Sequence, residues 1–360
     1  MRKANILSVK PGDRLARPVF REDGNILLGA GVELNDRFIE RLTMIGIDAL
    51  YIDDPLTGDL EPTTAIQDTT RQKATEAIYK TMTTLMDQPS LKGRTIAPEL
   101  GRTFRNVFSQ MLQDLITRED VMVSLTNIQA TDAYLFQHSV NVAILSGIMG
   151  LAKGYNRQQL EELGMGALLF DVGMTKLPKN LLNKKAALTL DERLIMEKHT
   201  EEGFNIIRAQ HDISLLSAHC AFQHHERYDG SGYPRRLKAD AIHEYAQIVG
   251  LADVYDALTS PRPHRRRYTP TEAIEFLFAA GNTYFDLDLI KTFCKHISIY
   301  PVATTVLLSS GQVAVVSANN PLAVHRPTVR VLREADGKPP ESTYEIDLKD
   351  TLSLLIVKEI

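Results

Sequence analysis

The stretch His219-Cys-Ala-Phe-Gln-His-His-Glu-Arg-Tyr-Asp-Gly-Ser-Gly-Tyr-Pro234 sets more conditions on the fold than any other part of the chain. An apolar helical run ends in two adjacent histidines, His224 and His225, and a Gly-rich turn, Asp229-Gly-Ser-Gly-Tyr-Pro234, follows at once. Successive side chains on a helix project about 100° apart, so one or both imidazoles can reach a site beside the helix end. Neutral imidazole is the commonest metal ligand in proteins. Gly230 and Gly232 let the backbone turn sharply and lie close to a ligand. The plain alternative is a helix C-terminus with two histidines near the negative end of its dipole, followed by a surface turn. These residues alone leave both open.

The 360 residues are enough for two or three domains with a sizeable core. A net charge of −4 provides no global basic field for nucleic acid or an acidic membrane. Two cysteines, Cys220 and Cys294, cannot build a disulfide framework, which points to a reducing cytoplasm. No stretch reads as a transmembrane span, and the N-terminus lacks the apolar core of a signal peptide.

The chain is expected to be mainly α, between two small units of other character. Residues 1–53 read as an α+β accessory domain, with strands at Ile26–Leu28 and Ala49–Ile52 and a helix over Asn35–Leu42 capped by Asn35 or Asp36. Residues 54–72, rich in Asp, Pro, Gly and Thr without periodicity, read as a linker. Residues 73–125 form a helical connector: Ile78, Met82 and Leu85, then Phe104, Phe108, Met111 and Leu115, fall at the spacing of an amphipathic hairpin. That hairpin serves packing or a homodimer. Residues 126–299 form the main helical domain. Residues 300–360 switch to a period of two and read as a small β unit, with strands in Thr304–Val316, Val329–Leu332, Tyr344–Ile346 and Leu352–Val357.

Several polar residues of the helical domain sit in apolar runs. His138 shares a helix face with Val142, Leu145 and Met149. His199 lies on a helix begun by the capping box Thr189-Leu-Asp-Glu192. Asp171 follows Ala167–Phe170, and Asp253 follows Ile248–Ala252. Carboxylates there are costly unless paired or metal-bound. Each alone reads as a satisfied core residue. Together with His224 and His225, and each drawn from a different predicted helix, they are hard to explain as packing.

Three segments carry a family resemblance: Gln223–Leu237, Ala252-Asp-Val-Tyr-Asp-Ala-Leu-Thr-Ser260 and His138-Ser-Val-Asn-Val-Ala143. They resemble, in order, the signature, closing and opening motifs of the HD-GYP family, over roughly residues 131–300. The resemblance implies a helical HD-type metal-binding domain that binds and hydrolyses cyclic di-GMP, with protein partners in second-messenger signalling. It places His138, Asp171 and Asp253 on one metal. Asp171, as the catalytic bridging residue, reaches a second metal completed by His199, His224 and His225. Nitrogen and carboxylate ligands suit Fe, Mn, Zn or Ni, one or two ions per chain. Sites of that kind hold two ions about 3.5–4 Å apart, lower the pKa of a water towards about 7 and open the phosphodiester in line. Asp229, Gly230, Gly232, Tyr233 and Pro234 are then expected against the nucleotide, and Arg262 and Arg265 against its phosphate.

The chain departs from the family pattern in Leu168-Leu-Phe-Asp-Val-Gly-Met-Thr-Lys-Leu-Pro178. Phe170 stands where the family has His, and Met174 where it has Lys. Phenylalanine cannot ligate a metal, and methionine cannot hold a phosphate oxygen by charge. Lys176 is two residues too late and is expected to point elsewhere. Binding is therefore better supported than turnover. The alternatives are a fully active phosphodiesterase and a metal phosphohydrolase acting on another nucleotide.

Overall fold

The structure, a computed structural model, describes all residues except 22, 48, 63, 88–98, 118–133, 183, 185, 261–266 and 321–322. It falls into two units, one of residues 66–117 and 134–296 and one of residues 1–65 and 297–360.

In the second of these units, β1 (Arg2–Asn5) pairs antiparallel with β4 (Ala49–Ile52), and β2 (Val19–Phe20) pairs with β3 (Ile26–Leu28). Helix α1 (Asp36–Met44) lies between β3 and β4, and the side chain of Asn35 accepts Phe38 N–H at its start. Leu15, Leu34, Leu42, Leu50 and Ile52 form the core here. The tail adds β5 (Thr305–Leu308), β6 (Val313–Ala318), β7 (Thr328–Arg333), β8 (Glu345–Asp347) and β9 (Ile356–Glu359). They make one antiparallel sheet in the order β8-β7-β6-β5-β9. The last strand starts at Ile356, later than the Leu352 expected, because Thr351 N–H and Leu354 N–H close turns on Asp347 and Thr351. The two ends of the chain are joined within this unit: Lys3 N–H donates to Ala303 O at 2.7 Å, and Leu60 packs with Val315 and Leu332.

The other unit holds α2 (Asp68–Asp87), α3 (Leu100–Ile116), α4 (Tyr134–Ala152), α5 (Arg157–Leu169), α6 (Lys179–Leu182), α7 (Leu190–Glu197), α8 (His199–Arg208), α9 (Leu215–Gln223), α10 (Glu244–Thr259), α11 (Pro270–Ala279) and α12 (Leu287–Cys294). Helix α4 is buried on every face from Gln137 to Gly150, as an all-round apolar sequence demands. Helices α5 and α10 flank it, and α10 buries Ile248, Val249, Leu251, Ala252, Tyr255 and Leu258. The connector residues Ile78, Met82, Leu85, Phe104, Phe108, Met111 and Leu115 are all buried within this unit. The linker expected over 54–72 contains a 3-10 turn at Pro55–Thr57 and the start of α2. No helix among the described residues is long and apolar enough to cross a membrane.

Candidate metal centre

His199 opens α8 rather than continuing the capped helix before it. The Thr189–Glu192 capping box does start α7, but α7 ends at Glu197 and Lys198 is the hinge. His224 is the C-cap of α9, and His225 follows it. The Nδ1–H of His199 donates to Met196 O at 2.7 Å, and that of His224 lies 3.0 Å from both Cys220 O and Ala221 O. With Nδ1 committed as donor, each ring presents an Nε2 lone pair, the tautomer a metal needs. The two Nε2 atoms are 3.3 Å apart. Burial first, then the neighbouring His199, brings the His224 pKa down to about 3. Burial and then His224 hold His225 well below the usual histidine value. His224 and His225 are therefore neutral near pH 7.

The ligand atoms of His199, His224 and His225 lie within 4.8 Å of one another, and theirs is the one such group of three among the described residues. Asp171 Oδ1 lies 3.5 Å from His199 Nε2 and 3.7 Å from His224 Nε2. Unprotonated nitrogens and a carboxylate oxygen at such separations repel unless a proton or a metal cation lies among them. A spacing of 3.3 Å lets both nitrogens reach one ion at about 2.0–2.1 Å. This donor set fits a first-row transition ion. Asp171 gets there because the turn after it presses on the start of α8. A Cβ on Gly173 would sit 1.9 Å from His199 O, so only glycine fits.

His138 and Asp253 form a second cluster and do not join that group. His138 Nε2 is 2.8 Å from Asp253 Oδ1, and its Nδ1 is 2.7 Å from Asp256 Oδ2. Burial alone would lower the His138 pKa, but the hydrogen bonds to Asp253 and Asp256 outweigh it and hold the ring up at about 10. Burial would raise that of Asp253, and the His138 hydrogen bond reverses the sign. Asp256 takes His138 and Asn141, and Arg71 reaches Asn141 in turn. Phe170 lies between the two clusters, its ring edge-on to His138 at 5.7 Å and to His224 at 5.0 Å. Met174 is half-buried in the turn after Asp171. Lys176 reaches Leu85 O at the end of α2, 3.4 Å away, and does not replace the missing cation.

The Gly-rich loop lies against the histidines. The Tyr233 ring stacks on His225 at 4.7 Å and meets His199 edge-on at 6.4 Å. Burial, and after it the charge of Asp171, pushes the Tyr233 phenol pKa above its ordinary value. Asp229 accepts Ser231 N–H, Gly230 takes φ +83°, and a Cβ on Gly232 would meet His225 O at 2.4 Å. Pro234 follows, half-buried. Arg262 and Arg265 lie outside the described residues.

Glu226 was not singled out in the sequence. Its buried carboxylate accepts the N–H groups of Arg235 and Leu237 at 2.8 and 2.9 Å and closes the loop. Its only sequence signal is a carboxylate directly after two ligand-type histidines. Arg227 was likewise missed: its guanidinium lies over Tyr284 at 4.8 Å and Phe285 at 5.2 Å.

A helical unit that gathers histidines and aspartates from separate helices in this way is an HD domain, and residues 111–289 match that family. The chain belongs to the HD-GYP family. Residues 305–360 match the KOW domain associated with HD domains. A cyclic di-GMP phosphodiesterase of Pseudomonas aeruginosa is 30% identical over 243 residues, 68% of this chain and 58% of that protein. The cyclic di-GMP phosphodiesterase response regulator RpfG of Xanthomonas campestris is 36% identical over 143 residues, 39% of this chain and 38% of that protein. A 3'3'-cGAMP-specific phosphodiesterase of Vibrio cholerae is 30% identical over 200 residues, 55% of this chain and 38% of that protein.

Proposed function

We propose that this chain binds one transition ion on His199, His224, His225 and Asp171 and binds cyclic di-GMP beside it, with weak or absent hydrolysis. The observation that carries this is the convergence of three imidazoles, two locked by Nδ1–H bonds to carbonyls, while Phe170 occupies the ground between them and His138. When bound, such an ion supplies Lewis acidity to a phosphoryl oxygen and acidifies a water. The protein's own residues do the rest. Asp171 adds negative charge to the histidine cluster and orients towards it. Tyr233 covers His225 and excludes water from that side. The loop from Asp229 to Pro234 gives a rigid edge for the nucleotide. His138, held between Asp253 and Asp256, keeps a fixed geometry without an ion of its own.

Met174 leaves a non-bridging phosphate oxygen without a charged partner as negative charge builds on it. Phe170 withholds the imidazole that the His138–Asp253 side would need. Both act on the transition state rather than on ground-state binding.

Elemental analysis of protein purified without chelator, with product analysis on cyclic di-GMP, tests this proposal. About one ion per chain, calorimetric heat with cyclic di-GMP but not with GTP, and little linear product are expected. Substoichiometric metal under every supplement sinks the metal assignment. Equal heats with 3'3'-cGAMP move the specificity to cyclic dinucleotides in general. Rapid hydrolysis overturns the account of Phe170 and Met174.

A further inference from the structure

Helix α2 lies upstream of the residues that match the HD domain, and its apolar stripe of Ile78, Met82 and Leu85 already provides for packing. It nevertheless buries an arginine. Arg71 is 6% exposed, and its Nη1 donates to Asn141 Oδ1 at 2.7 Å. Asn141 Nδ2 donates to Asp256 Oδ1 at 2.9 Å, and Asp256 Oδ2 accepts His138 Nδ1–H at 2.7 Å. His138 Nε2 reaches Asp253 Oδ1 at 2.8 Å. All five side chains are buried. We infer that Arg71 is a positioning residue of the site, acting through Asn141 and Asp256 on the His138–Asp253 pair; this rests on the site proposed above.

Chemistry fixes each link of this chain. His138 and Asn141 are three residues apart on α4 and share a face, as Asp253 and Asp256 do on α10. A guanidinium only donates and a carboxylate only accepts. Asn141 between them has one permitted amide orientation, and with Asn141 fixed the plane of Asp256 is fixed too. Asp256 sets the His138 ring, so Nε2 is aimed before any ligand arrives. Arg71 also keeps one permanent positive charge separated from the buried Asp256 carboxylate by the Asn141 amide. Buried charge is stable only when compensated, and a guanidinium remains charged whatever occupies the His138 side. At its other end, α2 receives Lys176 from the turn after Asp171, through Leu85 O at 3.4 Å. One helix outside the matched domain therefore braces both clusters.

The test uses the full-length chain as wild type, Arg71→Met, Arg71→Lys and Asn141→Leu. Metal on the His199 cluster should be unchanged in all four by elemental analysis. Nitrogen-15 histidine NMR of metal-free protein reads the His138 ring N–H protons, which should exchange slowly in wild type. Arg71→Met and Asn141→Leu should speed that exchange at least about tenfold and, combined with Phe170→His, weaken binding of the second Co2+ ion that Phe170→His alone admits on the His138 side about tenfold, the lower end for losing an outer hydrogen-bond partner of a ligand. Arg71→Lys should restore most of both. If Arg71→Met or Asn141→Leu keeps wild-type exchange, and with Phe170→His keeps the Co2+ affinity of Phe170→His alone, while only its thermal midpoint drops, Arg71 merely packs and the proposal is overturned. If Arg71→Met does not fold, Asn141→Leu decides alone. Absence of metal from wild type would sink the metal assignment and leave the exchange result standing, so the two failures are distinct.

Discussion

At the scale of single residues, Phe170 has the largest consequence. It is 1% exposed and touches a histidine of each cluster edge-on. Phe170→His should raise metal content from about one ion per chain towards two with little turnover. The smaller, polar ring should also destabilise the metal-free protein by about 2–3 kcal/mol. Adding Met174→Lys should raise turnover at least tenfold, about 1.4 kcal/mol of barrier, with affinity for cyclic di-GMP nearly unchanged. A wild type as fast as the double variant would refute this account. His224→Ala with His225→Ala should empty the histidine cluster. A chelator should then lower the thermal midpoint of wild type only, since an ion at a hundred times its Kd stabilises by about 2.7 kcal/mol. Equal sensitivity to chelator in both proteins would place the ion elsewhere. His224, His225 and Asp171 were legible in the sequence because a contiguous motif and an apolar run mark them. Arg71 and Asn141 were not, because their partners lie 70 and 115 residues away and nothing local records a contact of that range.

At the scale of elements, helix ends decide what reaches the site. The start of α7 could be read from its capping box, but the stop at Glu197 carries no Gly or Pro, so the new helix opening at His199 left no local signal. Helix α10, which carries Asp253 and Asp256, begins at a histidine cap: His243 Nδ1 accepts Tyr245 N–H at 3.2 Å. Only neutral imidazole can accept there. Its ring stacks with His219 at 6.1 Å and meets Tyr245 edge-on, with Glu244 next in sequence. Burial lowers the pKa of His243 against the pull of Glu244 and Glu162, and burial with the charge of His243 lowers that of His219. With folded pKa values below 6.5, the unfolded chain binds more protons in the window just under that value. Their stabilisation is complete above about pH 6.5 and is lost as pH falls through the folded values. Between pH 7.5 and 5.5 the thermal midpoint of wild type should therefore fall more than that of His243→Asn, whose cap does not titrate. Parallel slopes would remove His243 from the explanation.

At the scale of the whole molecule, strands and helices were legible as periods of two and 3.6, while the association of the two chain ends was not. Patterning reports that Val315 and Leu332 are apolar and cannot report that Leu60 covers them. Arg330 extends the same join, donating to Asp59 at 2.6 and 2.7 Å and to Glu345 at 2.9 Å. Residues 297–360 prepared alone should give poorly dispersed NMR spectra, and mixing with residues 1–65 should restore the dispersion of a folded sheet. A fully folded tail without its partner would show the join to be dispensable. The same join puts a timetable into biosynthesis. Residues 66–296 emerge between the two halves of that unit, which at about 5–20 residues per second is roughly ten to fifty seconds. Leu60 waits through that interval for its covering residues, while the helical unit has all of its own chain and can finish first. A nascent chain stalled once residue 296 has just left the ribosome should thus carry a closed histidine cluster and an N-terminal segment still open to proteases and chaperones.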